Sequence, residues 1–289
     1  MSKAIGTWFE GATVSKTPSL APDARCSLLL FYHYAAPPLN PTSLGALKTF
    51  LQTLTTTNEL GGRLRVAAEG LNCTISGTHA TVRAFSQQLS EWIPTSALPS
   101  STAPFATVDF KFIDDLPPDR AFKDCKILPV NELVFYGVSA TDAPLSKGGV
   151  HLEPKEYHEK MKEPNTVIID VRNSYEADIG KFNGQDGAVY IDPKMRKSTD
   201  FKAWLDKPET QEQLTGKKVL MYCTGGVRCE RASALLKTNM GDKVSKERDR
   251  SEGPSRRTAV KESEQCRHPL ALTLPSPLGP GSVPAPGRD

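Results

Sequence analysis

The sequence predicts a two-part α/β protein: a ferredoxin-like (split βαβ) N-terminal domain, then a parallel α/β domain that is incomplete at its C-terminus. Three observations predict it. The chain has 289 residues, about two domains' worth. Strand and helix patterns between 26 and 115 follow the order β-α-β-β-α-β, which is the split βαβ arrangement. From His151 onward, apolar strands alternate with short helices, as in a parallel sheet covered on both faces. That second pattern breaks off abruptly, because Tyr222 is the last Phe, Trp or Tyr of the chain.

Residues 1–25 read as an N-terminal extension. The run CSLLLFYHY at 26–34 ends before Pro37-Pro38 and reads as a buried strand. Over 41–54, Leu44, Leu47, Phe50, Leu51 and Leu54 recur at three and four residues, the stripe of a core-facing helix with Pro41 in its first turn. Strands at 63–68 and 72–76 flank Gly70, and 79–92 repeats the helical spacing through Val82, Phe85, Leu89 and Trp92. Val108, Phe110 and Phe112 alternate with polar neighbours as a last strand, closing the domain near Asp115. Residues 116–150 form a connector with Pro117-Pro118, an extra strand at 133–138 and a Gly148-Gly149 turn. The second domain, 151–240, is predicted to hold a helix at 154–161, a strand at 166–171 and a short helix or turn at 175–179. A strand at 188–191, helical pieces over 200–214, a strand at 218–222 and a helix to about Thr238 complete it. Residues 241–289 carry mixed charges and then repeated prolines, too little apolar surface to offset ordering entropy, so a disordered tail is expected.

Composition excludes several classes of function. Lys+Arg 36 against Asp+Glu 33 is too mild a balance for a polycationic nucleic-acid coat, leaving only a local patch such as Arg63, Arg65, Lys111, Lys123 and Lys126. Alternating basic residues on a strand also describe an ordinary solvent face. No apolar run approaches the ~20 residues that cross a bilayer. The six cysteines are scattered, with no secretory signal before them, which argues for a reducing, cytoplasmic setting; an organelle transit peptide has little support in residues 1–25.

The chemistry concentrates after the last strand, in Cys223-Thr224-Gly225-Gly226-Val227-Arg228. A strand, a glycine loop and a helix start place a thiol within a ring of backbone N–H groups at a helix amino terminus. Such a thiol has its thiolate stabilised, and Arg228 adds a fixed cation. An inert buried cysteine beside a turn is the plainer reading; the coincidence of double glycine, arginine and helix favours a reactive one. The ring is one residue shorter than the loop of cysteine phosphatases, which suits a sulfur atom better than a phosphate.

This loop, preceded by VLMY and followed by Cys229-Glu230-Arg231-Ala232-Ser233, resembles the active-site loop of rhodanese domains. The segment from Ile169 through Asp170, Val171, Arg172, Asn173, Ser174 and Tyr175 to Glu176 resembles the rhodanese upstream motif. Phe31-Tyr32-His33-Tyr34, Ala68-Glu69-Gly70-Leu71-Asn72 and Thr74-Ile75-Ser76-Gly77 resemble the first domain of one rhodanese subfamily, the oxygen-dependent tRNA uridine hydroxylases. The resemblance covers roughly 26–238 and implies conversion of the wobble uridine to 5-hydroxyuridine. It also implies Cys223 as the persulfide-forming residue, with Thr224, Gly225, Gly226, Val227 and Arg228 as the cradle. Molecular oxygen would be the co-substrate, and tRNA and a small-molecule or protein sulfur donor the partners. The family continues past Asn239 with a further strand and helix, so this C-terminus reads as truncated or divergent. Two other readings stand beside it: a general sulfurtransferase and a non-catalytic rhodanese-like binding module.

Asp170 and Arg172 are expected to support the site structurally, Asp170 by accepting from loop amides and Arg172 by pairing with Glu176. Cys229 reads as a packed helix cysteine more readily than as one that resolves a persulfide, and Cys26, Cys73 and Cys125 as core thiols. His151, His158 and Glu156 invite a metal reading, but their placement about the 154–161 helix does not converge, and no metal is expected.

Overall fold

The computed structural model describes residues 12–16, 20–21, 24–94, 102–182, 184 and 187–244. Its first layer is a six-stranded sheet: β1 (Thr13–Lys16), β2 (Cys26–Tyr34), β3 (Gly61–Ala67), β4 (Gly70–Gly77), β5 (Lys111–Leu116) and β6 (Asp124–Pro129). The spatial order is β1-β6-β3-β4-β2-β5. The run β5-β2-β4-β3 within it is the antiparallel split βαβ sheet that the element order predicts.

Two helices, α1 (Pro41–Thr57) and α2 (His79–Glu91), cover one face. Each begins where a side chain satisfies an orphan amide: Asn40 accepts from the Ser43 N–H at 2.8 Å, and Thr78 from the Thr81 N–H at 3.3 Å. Their apolar stripes, Leu47, Leu51 and Leu54 on α1 and Val82, Phe85 and Leu89 on α2, pack on Leu29, Phe31, Leu64, Val66, Cys73 and Ile75. Each such side chain contributes about 1.5–3 kcal/mol by leaving water. Cys26, Cys73 and Cys125 are buried here as free thiols.

Several expectations need correction. The extension is not wholly separate, because β1 pairs with β6. The connector's strand is β6, which runs parallel to β3, and not 133–138. Leu133, Val134, Tyr136 and Val138 are buried irregular chain that packs into the core of the second domain, and Gly137 at φ 68° breaks any strand there. Residues 108–110 precede β5 rather than form part of it.

The second layer is built from β7 (Thr166–Asp170), β8 (Val189–Ile191) and β9 (Lys218–Tyr222), parallel in the order β8-β7-β9. Around them lie α3 (Pro154–Lys160), α4 (Ser174–Ile179), α5 (Asp200–Leu205), α6 (Pro208–Leu214) and α7 (Val227–Met240). β7 is buried throughout, as a central parallel strand should be. Of the expected tail, residues 241–244 close onto this core: the Gly216 N–H donates to the Lys243 carbonyl at 2.8 Å, and Val244 packs against the cluster. Residues 245–289 of that tail, and most of the extension, lie outside the described residues.

Candidate active site

Cys223 stands immediately after β9, where the central strands end and ligands of parallel sheets bind. The chain then turns through Gly225 and Gly226 into α7. Gly226 is the cap of α7 at φ 93°, a conformation that strains any side chain. Its N–H points back and donates to Cys223 Sγ at 3.0 Å. Cys223 is buried, at 2% exposure.

Burial alone would push this thiol up, but the Cys229 thiol beside it, the Arg228 guanidinium and the Arg228 and Cys229 amides outweigh that and hold it down at about 5. Burial and the neighbouring Cys223 push Cys229 well above the ordinary thiol range. The asymmetry follows from position: the helix amino end and the Gly226 N–H aim at Cys223, so Cys223 ionises and Cys229 donates.

Glu176 fixes the loop from the opposite side. It is the third residue of α4 and closes a capping box with Asn173, whose N–H donates to Oε2 at 3.1 Å. Its carboxylate takes Arg228 Nη1 at 2.6 Å and Nη2 at 2.9 Å, and Thr224 Oγ1–H at 2.7 Å. Arg228 Nη2 also donates to Thr224 Oγ1 at 2.8 Å. Although burial opposes it, the Arg228 pairing depresses Glu176 to about 2.

Asp170 and Arg172 behave differently from expectation. Arg172 precedes α4, so the one-turn geometry for pairing with Glu176 does not exist there. It folds back instead and donates to Asp170 through its N–H at 3.1 Å, Nε at 2.9 Å and Nη2 at 2.8 Å. Tyr222 Oη donates to the same carboxylate at 2.6 Å and Tyr190 Oη at 3.1 Å. These partners occupy Asp170, and it takes no loop amide among the described contacts. It anchors Tyr222, the residue before Cys223.

The first domain and the connector supply a third set of contacts that the sequence reading missed. Tyr34 Oη donates to the Val227 carbonyl at 3.3 Å, Tyr136 Oη to the Arg228 carbonyl at 3.0 Å and Tyr32 Oη to Glu230 Oε1 at 3.2 Å. Leu30 lies against Gly225, its Cδ2 3.4 Å from where a Cβ would stand. Arg231, 2% exposed, pairs with Glu69 and donates to the Ala143 carbonyl at 2.7 Å. Glu69 in turn accepts the Leu133 N–H at 2.7 Å. A signal was present in FYHY: a strand with aromatic residues on both faces needs cover on both.

Among the described residues, no three His, Cys, Asp or Glu side chains stand together as a metal-binding set. Nor is any helix among them long and apolar enough to cross a membrane. A concavity along α6 is lined by Pro208, Glu209, Gln211, Glu212, Thr215 and Lys243 and does not include Cys223. Of the candidate basic residues, Arg63 and Arg65 lie on β3, Lys126 is beside Arg63 on β6, Lys111 is opposite Leu30 on β5, and Lys123 precedes β6.

Comparison with known proteins agrees with this division. Residues 26–132 match the UPF0176 acylphosphatase like domain, and residues 153–246 the rhodanese-like domain. Curated relatives carrying the name tRNA uridine(34) hydroxylase include a Listeria monocytogenes protein, 36% identical over 187 residues, 65% of this chain and 53% of that protein. A Synechococcus protein of the same name is 34% identical over 209 residues, 71% of this chain and 64% of its own. One from Bacillus pumilus is 35% identical over 220 residues, 75% and 61% respectively. The chain thus spans between 53% and 64% of the length of these relatives.

Proposed function

We propose that the chain, which joins a UPF0176 acylphosphatase-like domain to a rhodanese-like domain, modifies tRNA, hydroxylating the wobble uridine to 5-hydroxyuridine with molecular oxygen as co-substrate, one oxygen atom entering the base and the other leaving as water with two electrons from a thiol-level reductant. The observation that carries this reading is Cys223, a buried thiolate in a ring of loop amides, in a chain 34–36% identical to relatives named for that activity.

In this reading Cys223 Sγ attacks the outer sulfur of a donor. The donor's own bond to that sulfur breaks, and its electron pair leaves with the rest of the donor. The persulfide so formed is an anion one atom longer than the thiolate, held by the Gly226, Arg228 and Cys229 amides and by the helix amino end. Arg228 stays protonated because Glu176 holds it, and it balances the charge at either stage. The hydroxyl of Thr224 is committed to Glu176, so Thr224 shapes the loop rather than transferring a proton.

The test is nucleoside mass spectrometry of tRNA from cells that lack the endogenous activity and express the full chain. The expected result is 5-hydroxyuridine with the wild type and none with Cys223→Ser. Well-expressed wild-type protein that yields no 5-hydroxyuridine overturns the reading.

A further inference from the structure

The helix-free face of the first sheet runs directly into the Cys223 loop. Register fixes which side chains share it. Lys126 pairs with Arg63, Arg65 with Asn72, Arg63 with Thr74, Asn72 with Tyr32, Thr74 with Leu30, and Leu30 with Lys111. At the far edge Val14 pairs with Lys126 and Lys16 with Asp124. One face therefore carries Lys16, Lys126, Arg63, Arg65 and Lys111 around a floor of Asn72 and Thr74. Leu30 and Tyr32 on β2 sit under the catalytic loop.

We propose that this face is a docking track for the phosphate backbone of single-stranded RNA, leading a nucleotide to Cys223; the proposal rests on tRNA being the substrate.

Three features fit such a ligand and not a protein partner. First, the charge is predominantly positive, five cations against Asp124 and Asp109, and it lies on both sides of the loop: Lys111 flanks Leu30 on β5, and the other cations extend away across β3, β6 and β1. Asp124 lies among them, held by Arg63 at 2.7 Å and Lys126 at 3.4 Å, and Lys111 pairs with Asp109 at 3.2 Å. Arg65 is exposed and makes no ion pair among the described residues. Second, the scale suits a strand of a few nucleotides. With strands about 4.8 Å apart, β3 lies about 10 Å from β2 and β6 about 14 Å, and Arg63 and Arg65 are about 7 Å apart along the strand. Third, the floor is short, polar side chains with an aromatic at the catalytic end. A positive groove ending on an aromatic platform is how proteins hold single strands while presenting a splayed base. Phe122 closes the opposite end, its N–H on Ser76 Oγ at 2.8 Å and its ring 5.3 Å from the Arg63 guanidinium.

The test is binding of a fluorescently labelled anticodon stem-loop RNA to the full chain, by anisotropy across a salt series. The variants are the double substitution Arg65→Ala/Lys126→Ala and the control Lys155→Ala, which removes one exposed cation on α3. Neither substituted side chain of the double variant is buried, so the fold and the Cys223 titration should be unchanged. Expected are a loss of affinity of roughly tenfold or more and a salt slope smaller by about 2 in the double variant, with the control within about twofold of wild type. A double variant that binds like wild type, or a wild-type chain with no affinity at low salt, overturns the proposal. The two readings separate cleanly. Wild-type binding in the double variant, with 5-hydroxyuridine still produced, sinks the track and leaves the activity standing. Weakened binding in the double variant, with no 5-hydroxyuridine from wild type, sinks the activity and leaves an RNA track.

Discussion

Replacing Arg228 with Gln tests the electrostatic account of Cys223 most directly. With Cys223 at about 5 against an ordinary 9.0, the sulfur is almost wholly thiolate at pH 7, about a hundredfold more than an unperturbed thiol. Removing one adjacent opposite charge raises such a group by about one to three pH units. The loss of Arg228 also leaves Glu176 bonded to Thr224 and the Asn173 amide without its cation, a negative neighbour that pushes in the same direction. A rise to about 7 is the central expectation, and the thiolate fraction at pH 6 then falls from about nine tenths to about one tenth. The assay is ultraviolet thiolate absorbance against pH, with the Cys223→Ser spectrum subtracted to remove the other thiols. Because an unpaired Glu176 costs stability, Arg228→Gln/Glu176→Gln serves as a charge-balanced second variant and should also titrate above wild type. Stability supplies an independent readout. A folded value below the unfolded one contributes stability that is complete above about pH 9 and is lost as pH falls through about 5. At pH 7 about 3 kcal/mol of it remains, and Cys223→Ser should lack that pH dependence. A wild-type Cys223 titrating above about 8, or a value unmoved in both variants, would refute the reasoning.

Other outcomes follow from the same contacts. Glu176 is depressed from 4.5 to about 2, so its contribution is complete above about pH 4.5 and lost as pH falls towards 2; acid unfolding of Glu176→Gln should be correspondingly flatter in that window. Glu69→Gln leaves Arg231 buried without its counter-charge and should cost about 3–5 kcal/mol, read as a fall in denaturation midpoint. Its near-neutrality would show that the pair does not tie the domains. Tyr34→Phe removes one hydrogen bond to the loop carbonyl and should cost about 1 kcal/mol while leaving the Cys223 titration within a few tenths of wild type.

What could be read from the sequence divides along a physical line. Helices α1 and α2 and strands β2, β7 and β9 were legible because their burial is periodic or continuous within one segment. The Cys223 loop was legible because glycines, a thiol and an arginine at fixed spacing constrain a local backbone. The segment 133–138 was misread because burial was taken for strand, although Gly137 and the Glu132 carboxylate, which accepts the Tyr136 N–H at 3.1 Å, hold it irregular. The strand actually present, β6, shows only a short alternation of Cys125 and Ile127 with polar neighbours. Glu176 was assigned to Arg172 by proximity in sequence, whereas its partner Arg228 is 52 residues away.

The contacts hidden from the sequence are those that make the site joint property of two domains. The connector places β6 in one sheet and Tyr136 in the other core, so both domains are tied through the same short stretch of chain. Hydrogen bonds from Tyr34 of the first sheet and Tyr136 of the connector reach two successive carbonyls of the first turn of α7. The amides that stabilise the Cys223 thiolate belong to the same turn. The helix-free face of the first sheet and the Cys223 loop therefore lie side by side, joined through Leu30, Tyr32 and Tyr34.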